Sequence, residues 1–246
     1  MESLGLRGKT ILVVDDEADL REIVASEFEF LEAKVFLAAN VSEAKRVLQS
    51  EDIDLIVSDI RMPGASGIDL LSFIKNENMN FPPIILITGF ADISIEDALN
   101  LGAEALLSKP FKLEELIKVA TKLTSPEHER FLRPQKDHTK DLHFYFDETL
   151  SQKIAAHEVA IGRGGMAVTV DTMSFKWDTG EIFKFDFKFK DREFLGTAIC
   201  RWRKAQEHSR KATFGLEFVQ LSDETLKYFH DYWNQHKIIS FIPSLG

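Results

Sequence analysis

Apolar positions in the first half of the chain fall into short unbroken runs separated by stretches with helical spacing. Lys9 to Val14, Val35 to Ala39, Ile53 to Ser58, Ile84 to Ile87 and Ala105 to Ser108 each read as a strand. Between them Leu20, Ile23, Val24 and Phe28 recur at helical intervals, as do Ala44, Val47 and Leu48, and Leu70, Leu71 and Ile74. These spacings predict helices from Ala18, over Val41 to Gln49 and over Ile68 to Lys75. Two more are predicted over Ile93 to Leu101, stopped by Gly102 as a C-terminal cap, and over Leu113 to Leu123. Strands that are apolar throughout and alternate strictly with helices predict a parallel sheet covered on both faces.

The pattern changes beyond a polar stretch with prolines at 126 and 134. Phe183 to Lys190 alternates aromatic and charged residues with a strict period of two, the mark of a strand with one aromatic face. Leu142 to Phe146, Ile154 to Ile161, Met166 to Val170, Phe194 to Trp202 and Thr213 to Val219 supply further strands. Ser222 caps a helix to about Gln235, with Leu226, Phe229, Tyr232 and Trp233 on one side. The predicted fold is α/β: a five-stranded parallel doubly wound domain over residues 1–124, then a linker over 125–141. A small antiparallel β-barrel with a C-terminal helix follows over 142–246.

Length agrees with this division, since 246 residues suit two domains that each bury a core. No apolar run approaches the ~18 residues of a membrane span, so none is expected. The start, MESLGLRGKTILVVDD, enters a strand directly without a signal-peptide pattern. A single cysteine, Cys200, excludes an intramolecular disulfide, and both features point to a cytoplasmic protein. The net charge of -10 resides in residues 1–124, with 12 Lys+Arg against 22 Asp+Glu, while residues 125–246 carry 18 of each. Neither half has the basic excess of a nucleic-acid binder and no helix-turn-helix pattern follows the first domain, so DNA is not an expected partner.

Chemistry gathers at the strand ends. Asp15 and Asp16 follow the first predicted strand, Asp59 the third, Thr88 the fourth and Lys109 the fifth. In an open α/β sheet these C-terminal ends share the edge where ligands bind. Three crowded carboxylates repel one another and call for a cation; oxygen-only donors suit Mg²⁺. A lysine and a threonine hydroxyl beside them would hydrogen-bond a phosphoryl group. Asp59 opens into RMPGASG, a Pro/Gly loop that sets its carboxylate at the edge.

With Asp15, Asp16, Asp59, Thr88 and Lys109 in this order and spacing, the first 124 residues resemble the receiver domain of bacterial response regulators. The resemblance implies that Asp59 accepts a phosphoryl group from a histidine kinase, the only chemistry such a domain catalyses. It implies that Asp16, Asp59 and the Arg61 backbone carbonyl ligate Mg²⁺, with Asp15 acting through water. Thr88 and Lys109 would bind the phosphoryl oxygens, and Lys109-Pro110 looks like the family's cis peptide. Leu106 departs from the family, which often has Tyr or Phe there as an aromatic that swings inward when the threonine engages phosphate.

In the second half the seven histidines form no metal pattern, and Cys200, within a strand, reads as a buried thiol and not a nucleophile. The aromatic strip at Phe183 reads as core, because its flanks are not basic. Gly162-Arg163-Gly164-Gly165 joins two strands and reads as a tight turn needing positive φ. The order of parts resembles a PilZ domain over roughly residues 128 to 240, carried by VAIGRGGMAV, TAICRWRK, ATFGLEFVQL and the terminal helix. Many members of that family bind cyclic di-GMP through an RxxxR arm and a D/NxSxxG turn. Here Ala160 and Gly162 replace the two polar turn residues, only Gly165 matches, and Arg130 and Arg133 are three apart. Arg130, Arg133 and Arg163 are the candidate ligand-binding residues, but cyclic di-GMP binding is not expected. The expected output is an unidentified protein partner, with a second copy of the chain another candidate. The competing reading is a two-input receptor whose second domain senses the dinucleotide.

Overall fold

The computed structural model describes residues 5–77, 82–89, 92–126, 130, 139–145, 158–172, 178–189, 192–206 and 209–245. The chain packs as two units, one comprising Met1–Ser94 with Leu101–Ser125, the other Ile95–Asn100 with Pro126–Gly246.

The first unit is built on five parallel strands, β1 (Thr10–Val14), β2 (Lys34–Ala38), β3 (Leu55–Asp59), β4 (Ile84–Thr88) and β5 (Ala105–Ser108). Their order is β2-β1-β3-β4-β5, so the sheet reverses direction of growth between β1 and β3. That switch point opens a crevice at the C-terminal ends of these two strands. The helices that alternate with these strands along the sequence are α1 (Ala18–Phe30), α2 (Val41–Ser50), α3 (Gly67–Glu77), α4 (Ile95–Asn100) and α5 (Leu113–Thr124). All ten elements were predicted in kind; β3 runs one residue further than expected and takes in Asp59 itself. All five residues of β3 and of β4 are buried, as a parallel sheet covered on both faces requires. Gly102, at φ 103°, lies two residues after α4 in the left-handed region that a helix stop favours.

One feature of this core has no sequence signature. Lys75, at the end of α3, is buried and its Nζ lies 2.8 Å from Glu104 Oε1. Glu104 Oε2 also accepts the Ile84 N–H at 2.8 Å, which ties this pair to the first residue of β4. A buried charge is tolerated only when paired and hydrogen-bonded, and both conditions hold here.

In the second unit the strands are β6 (Thr139–Tyr145), β7 (Val159–Ile161), β8 (Gly165–Asp171), β9 (Ile182–Phe189), β10 (Arg192–Ala205) and β11 (Lys211–Leu221). Their order is β6-β9-β10-β11-β8-β7. The five strands from β9 to β7 are antiparallel, whereas β6 lies parallel to β9. Among the described residues no β6–β7 ladder closes this sheet into a barrel. The predicted strand from Ile154 lies outside the described residues up to 157, as does Phe146.

Helix α6 (Asp223–His236) begins where expected, with the Ser222 side chain accepting the Thr225 N–H. Its buried Phe229 and Trp233 pack on Phe185, Phe194, Phe214 and Phe218. Phe229 stacks between Phe194 and Phe218, at centroid distances of 5.4 and 5.2 Å. Cys200 is fully buried in this core, and burial, followed by the Glu181 and Asp178 charges, pushes its thiol up to about 11. A thiol so far from ionising is a packing residue.

The glycine turn is a correction. None of Gly162, Gly164 and Gly165 has positive φ. The requirement is space: a Cβ on Gly164 would lie 1.9 Å from the Phe241 ring, and one on Gly162 2.5 Å from the Phe241 carbonyl oxygen. The chain's own C-terminal segment fills the turn. Arg163 N–H donates to Ser240 O and Gly164 N–H to Phe241 O, each at 2.9 Å.

Candidate functional site

The site grows from the ends of β1, β3, β4 and β5. Asp15 follows β1 and Asp59 closes β3, both nearly excluded from solvent, whereas Asp16 is exposed. Behind Asp59 the chain turns through Pro63 and Gly64, the latter at φ 90°, and returns so that Gly67 N–H donates to Ile60 O at 3.0 Å. A Cβ on Gly67 would lie 2.2 Å from the Asp59 carbonyl oxygen, a backbone atom that cannot move aside cheaply. Gly67→Ala is therefore expected to cost about 1–3 kcal/mol, the range for overpacking. It should also displace Asp59, read as a lower denaturation midpoint together with weaker phosphoryl-analogue binding.

Lys109 closes the site from the end of β5. Its backbone N–H donates to Thr88 O at 2.7 Å, and its peptide bond to Pro110 is cis. Its Nζ stands 2.8 Å from Asp59 Oδ1, 3.4 Å from Asp15 Oδ2 and 3.3 Å from Glu17 Oε1. One ammonium thus reaches both buried carboxylates, which shows how closely they converge. Burial by itself would lower the lysine's pKa, but the Asp59 hydrogen bond and the Asp15 and Asp59 charges outweigh it and hold it raised. Lys109 is a permanent cation at neutral pH. Burial raises the Asp15 carboxyl above its ordinary value, partly offset by the Glu17 N–H at 2.8 Å and the Lys109 charge. The folded state therefore binds this proton more tightly than the unfolded chain, so ionised Asp15 opposes folding above its folded pKa. That opposition fades as pH falls through the folded pKa.

The remaining predicted residues divide. Thr88 is buried at the edge, but its hydroxyl is directed to Gly89 O at 2.9 Å and to Asp92 Oδ2 at 3.0 Å. Arg61 extends into solvent and pairs with Asp92. Leu106 is half-buried in β5, in register with Leu86. Glu17 and Asp92 went unread in the sequence. Glu17 directly follows the aspartate pair, a position that could have signalled it; Asp92 lies in a loop with no pattern to mark it. Among the described residues no three His, Cys, Asp or Glu side chains form a metal-ready cluster. Asp15 and Asp59 nevertheless are hard oxygen donors within reach of one cation, which fits an ion that takes one or two carboxylates and keeps its waters.

Of the second-unit candidates, Arg163 is buried and its Nε donates to Ile239 O at 2.9 Å. Arg130 is half-buried with its N–H on Pro126 O, and Arg133 lies outside the described residues.

The first unit is thus a doubly wound α/β domain with a lysine-paired aspartate and a second buried carboxylate at its switch point. Residues 11–121 match the response regulator receiver domain family, and this N-terminal part of the chain is a response regulator receiver domain. It is similar to the response regulator protein PilR of Pseudomonas aeruginosa, at 35% identity over 48% of this chain and 27% of that protein. It is also similar to the phosphate regulon transcriptional regulatory protein PhoB of the same organism, at 39% identity over 45% of this chain and 49% of that protein. The chain thus spans between about a quarter and a half of these relatives' lengths. Among solved structures, the response regulator TrrA of Thermotoga maritima in complex with Mg²⁺ and BeF shares 32% identity over 47% of this chain and 98% of its own, with a TM-score of 0.43. The family match ends at residue 121, and the antiparallel β domain lies beyond it. Among the described residues no helix is long and apolar enough to cross a membrane.

Proposed function

We propose that the chain is a two-component response regulator in which Asp59 takes a phosphoryl group from a histidine kinase. The expected linker over 125–141 would join it to an output domain expected over 142–246, whose first strand, β6, already takes in Thr139 to Asp141. The observation that carries this reading is the Lys109 Nζ at 2.8 Å from Asp59 Oδ1, beside a second buried carboxylate at a sheet edge. In the transfer, an Asp59 oxygen bonds to phosphorus as the phosphorus–nitrogen bond of the donor breaks, and the donor imidazole keeps the electron pair. Lys109 then bridges the new phosphoryl oxygens, and Thr88 offers its hydroxyl to another. Asp16, Asp59 and the Arg61 carbonyl, with Asp15 through water, would hold Mg²⁺, which supplies charge neutralisation at the transferring group. The domain catalyses no other reaction. Incorporation of label from acetyl phosphate, dependent on Mg²⁺ and mapped to Asp59, tests the assignment; labelling elsewhere would refute it.

The second domain is, in this reading, a PilZ-like module that docks another protein and leaves cyclic di-GMP unbound. Two observations support it. Ala160 and Gly162 offer no side-chain hydrogen bonds where that ligand needs two, and the turn's Arg163 and Gly164 N–H groups are already engaged by Ser240 and Phe241. Each missing partner is worth about 0.5–1.5 kcal/mol net, so together binding weakens roughly five- to more than a hundredfold. Calorimetry on the full chain is expected to show no heat at micromolar cyclic di-GMP. A dissociation constant near a micromolar, lost on Arg130→Ala or Arg133→Ala, would establish the two-input receptor instead.

A further inference from the structure

We propose that Asp92 is a positioning residue that competes with the phosphoryl group for Thr88 and so sets how readily the receiver accepts its ligand. The inference rests on the reading of Asp59 as acceptor. Three observations carry it. The Asp92 side chain is only 5% exposed, although it sits in the loop after β4. Its Oδ2 accepts the Thr88 hydroxyl at 3.0 Å, and its Oδ1 pairs with Arg61 Nε. It therefore ties together two residues that flank Asp59: Arg61, two positions along the chain, and Thr88, at the end of the neighbouring strand in which Ile87 is in register with Asp59.

Thr88 has a single hydroxyl proton. In the geometry present it is directed to Gly89 O and Asp92, and none of it is available to a group on Asp59. A phosphoryl oxygen can gain this donor only if the proton leaves both Gly89 O and Asp92, and of these two contacts the one to Asp92 is the charge-assisted one and the harder to give up. The phosphoryl and Asp92 acceptors are of the same kind, each an anionic oxygen, so the exchange is nearly even and its balance is set by Asp92. Releasing Asp92 also frees the Arg61 guanidinium, a second cation two residues from the acceptor. Asp92 touches neither the acceptor nor any reacting atom; it acts through Thr88 and Arg61.

The test is Mg²⁺-dependent beryllofluoride affinity of the full chain, followed by ¹⁹F NMR, in the wild type, Asp92→Ala, Asp92→Asn, Thr88→Ala and the double variant Thr88→Ala/Asp92→Ala. Asp92→Ala is expected to bind about two- to tenfold more tightly, the worth of one net hydrogen bond no longer broken. Asp92→Asn keeps an oxygen for Thr88 and fills the same space, so its gain is smaller. In the Thr88→Ala background the hydroxyl-dependent part of the gain disappears, an outcome that general loosening of the loop would not give. Unchanged or weaker binding by Asp92→Ala overturns the proposal while leaving Asp59 in place. An undiminished gain without Thr88 also overturns it, because the effect would then bypass the hydroxyl. If the wild type neither binds beryllofluoride nor is labelled by acetyl phosphate, the acceptor reading falls and this inference falls with it.

Discussion

Asp59→Asn is expected to abolish Mg²⁺-dependent labelling by acetyl phosphate and every conformational response to beryllofluoride. The amide keeps the size of the side chain but cannot act as the nucleophile, and it removes one of the charges that would draw a divalent cation to the edge. The fold should survive. Lys109 retains Asp15 at 3.4 Å and Glu17 at 3.3 Å, and the repulsion between two buried carboxylates is relieved. The measurement is label incorporation alongside a thermal melt. A variant with a wild-type melt and no label confirms the acceptor. Label retained at the wild-type level, or in excess EDTA, would move the acceptor elsewhere.

Lys109→Ala acts on both stability and signalling. Without the ammonium, Asp15 and Asp59 face each other buried and uncompensated. Breaking a buried pair costs about 3–5 kcal/mol, and partial exposure of Lys109 places the effect at the lower end. Mg²⁺ should recover much of this loss, because a cation between the carboxylates replaces the missing charge. The expected result is a melting temperature that falls without metal and rises with it more steeply than in the wild type. Phosphoryl transfer should persist at a reduced rate, while the conformational response is damped further, since the lysine's contact is with the transferred group. Such charge-assisted hydrogen bonds are worth about 1.5–3 kcal/mol. Equal loss of labelling and response would mark Lys109 as a structural residue alone.

The parallel sheet and its helices were legible because fully buried strands leave unbroken apolar runs, and α2 and α5 show one apolar face. The carboxylate-bearing edge was legible for a related reason. Asp15, Asp59, Thr88 and Lys109 each follow or close such a run, and strand ends of a parallel sheet must share one edge. The aromatic face of α6 was also written in its spacing, and Phe229 and Trp233 are buried as expected.

Other features depend on contacts between positions far apart in sequence. The parallel pairing of β6 with β9 follows from no local alternation, because period two is the same for either direction of a neighbour. The glycine turn was read as a φ requirement, yet Gly162 and Gly164 answer to Phe241, some eighty residues away along the chain, and Gly165 to the Leu216 carbonyl oxygen. The buried Lys75–Glu104 pair, 29 residues apart, looks in sequence like two ordinary surface charges. The direction of the Thr88 hydroxyl could not be read at all. Sequence determined that this chain gathers carboxylates, a threonine and a lysine at one sheet edge, because burial and strand periodicity are local patterns. Only the tertiary structure decided that the threonine is engaged by Asp92, because a single proton's choice of acceptor depends on which oxygen the folded loop brings within 3.0 Å.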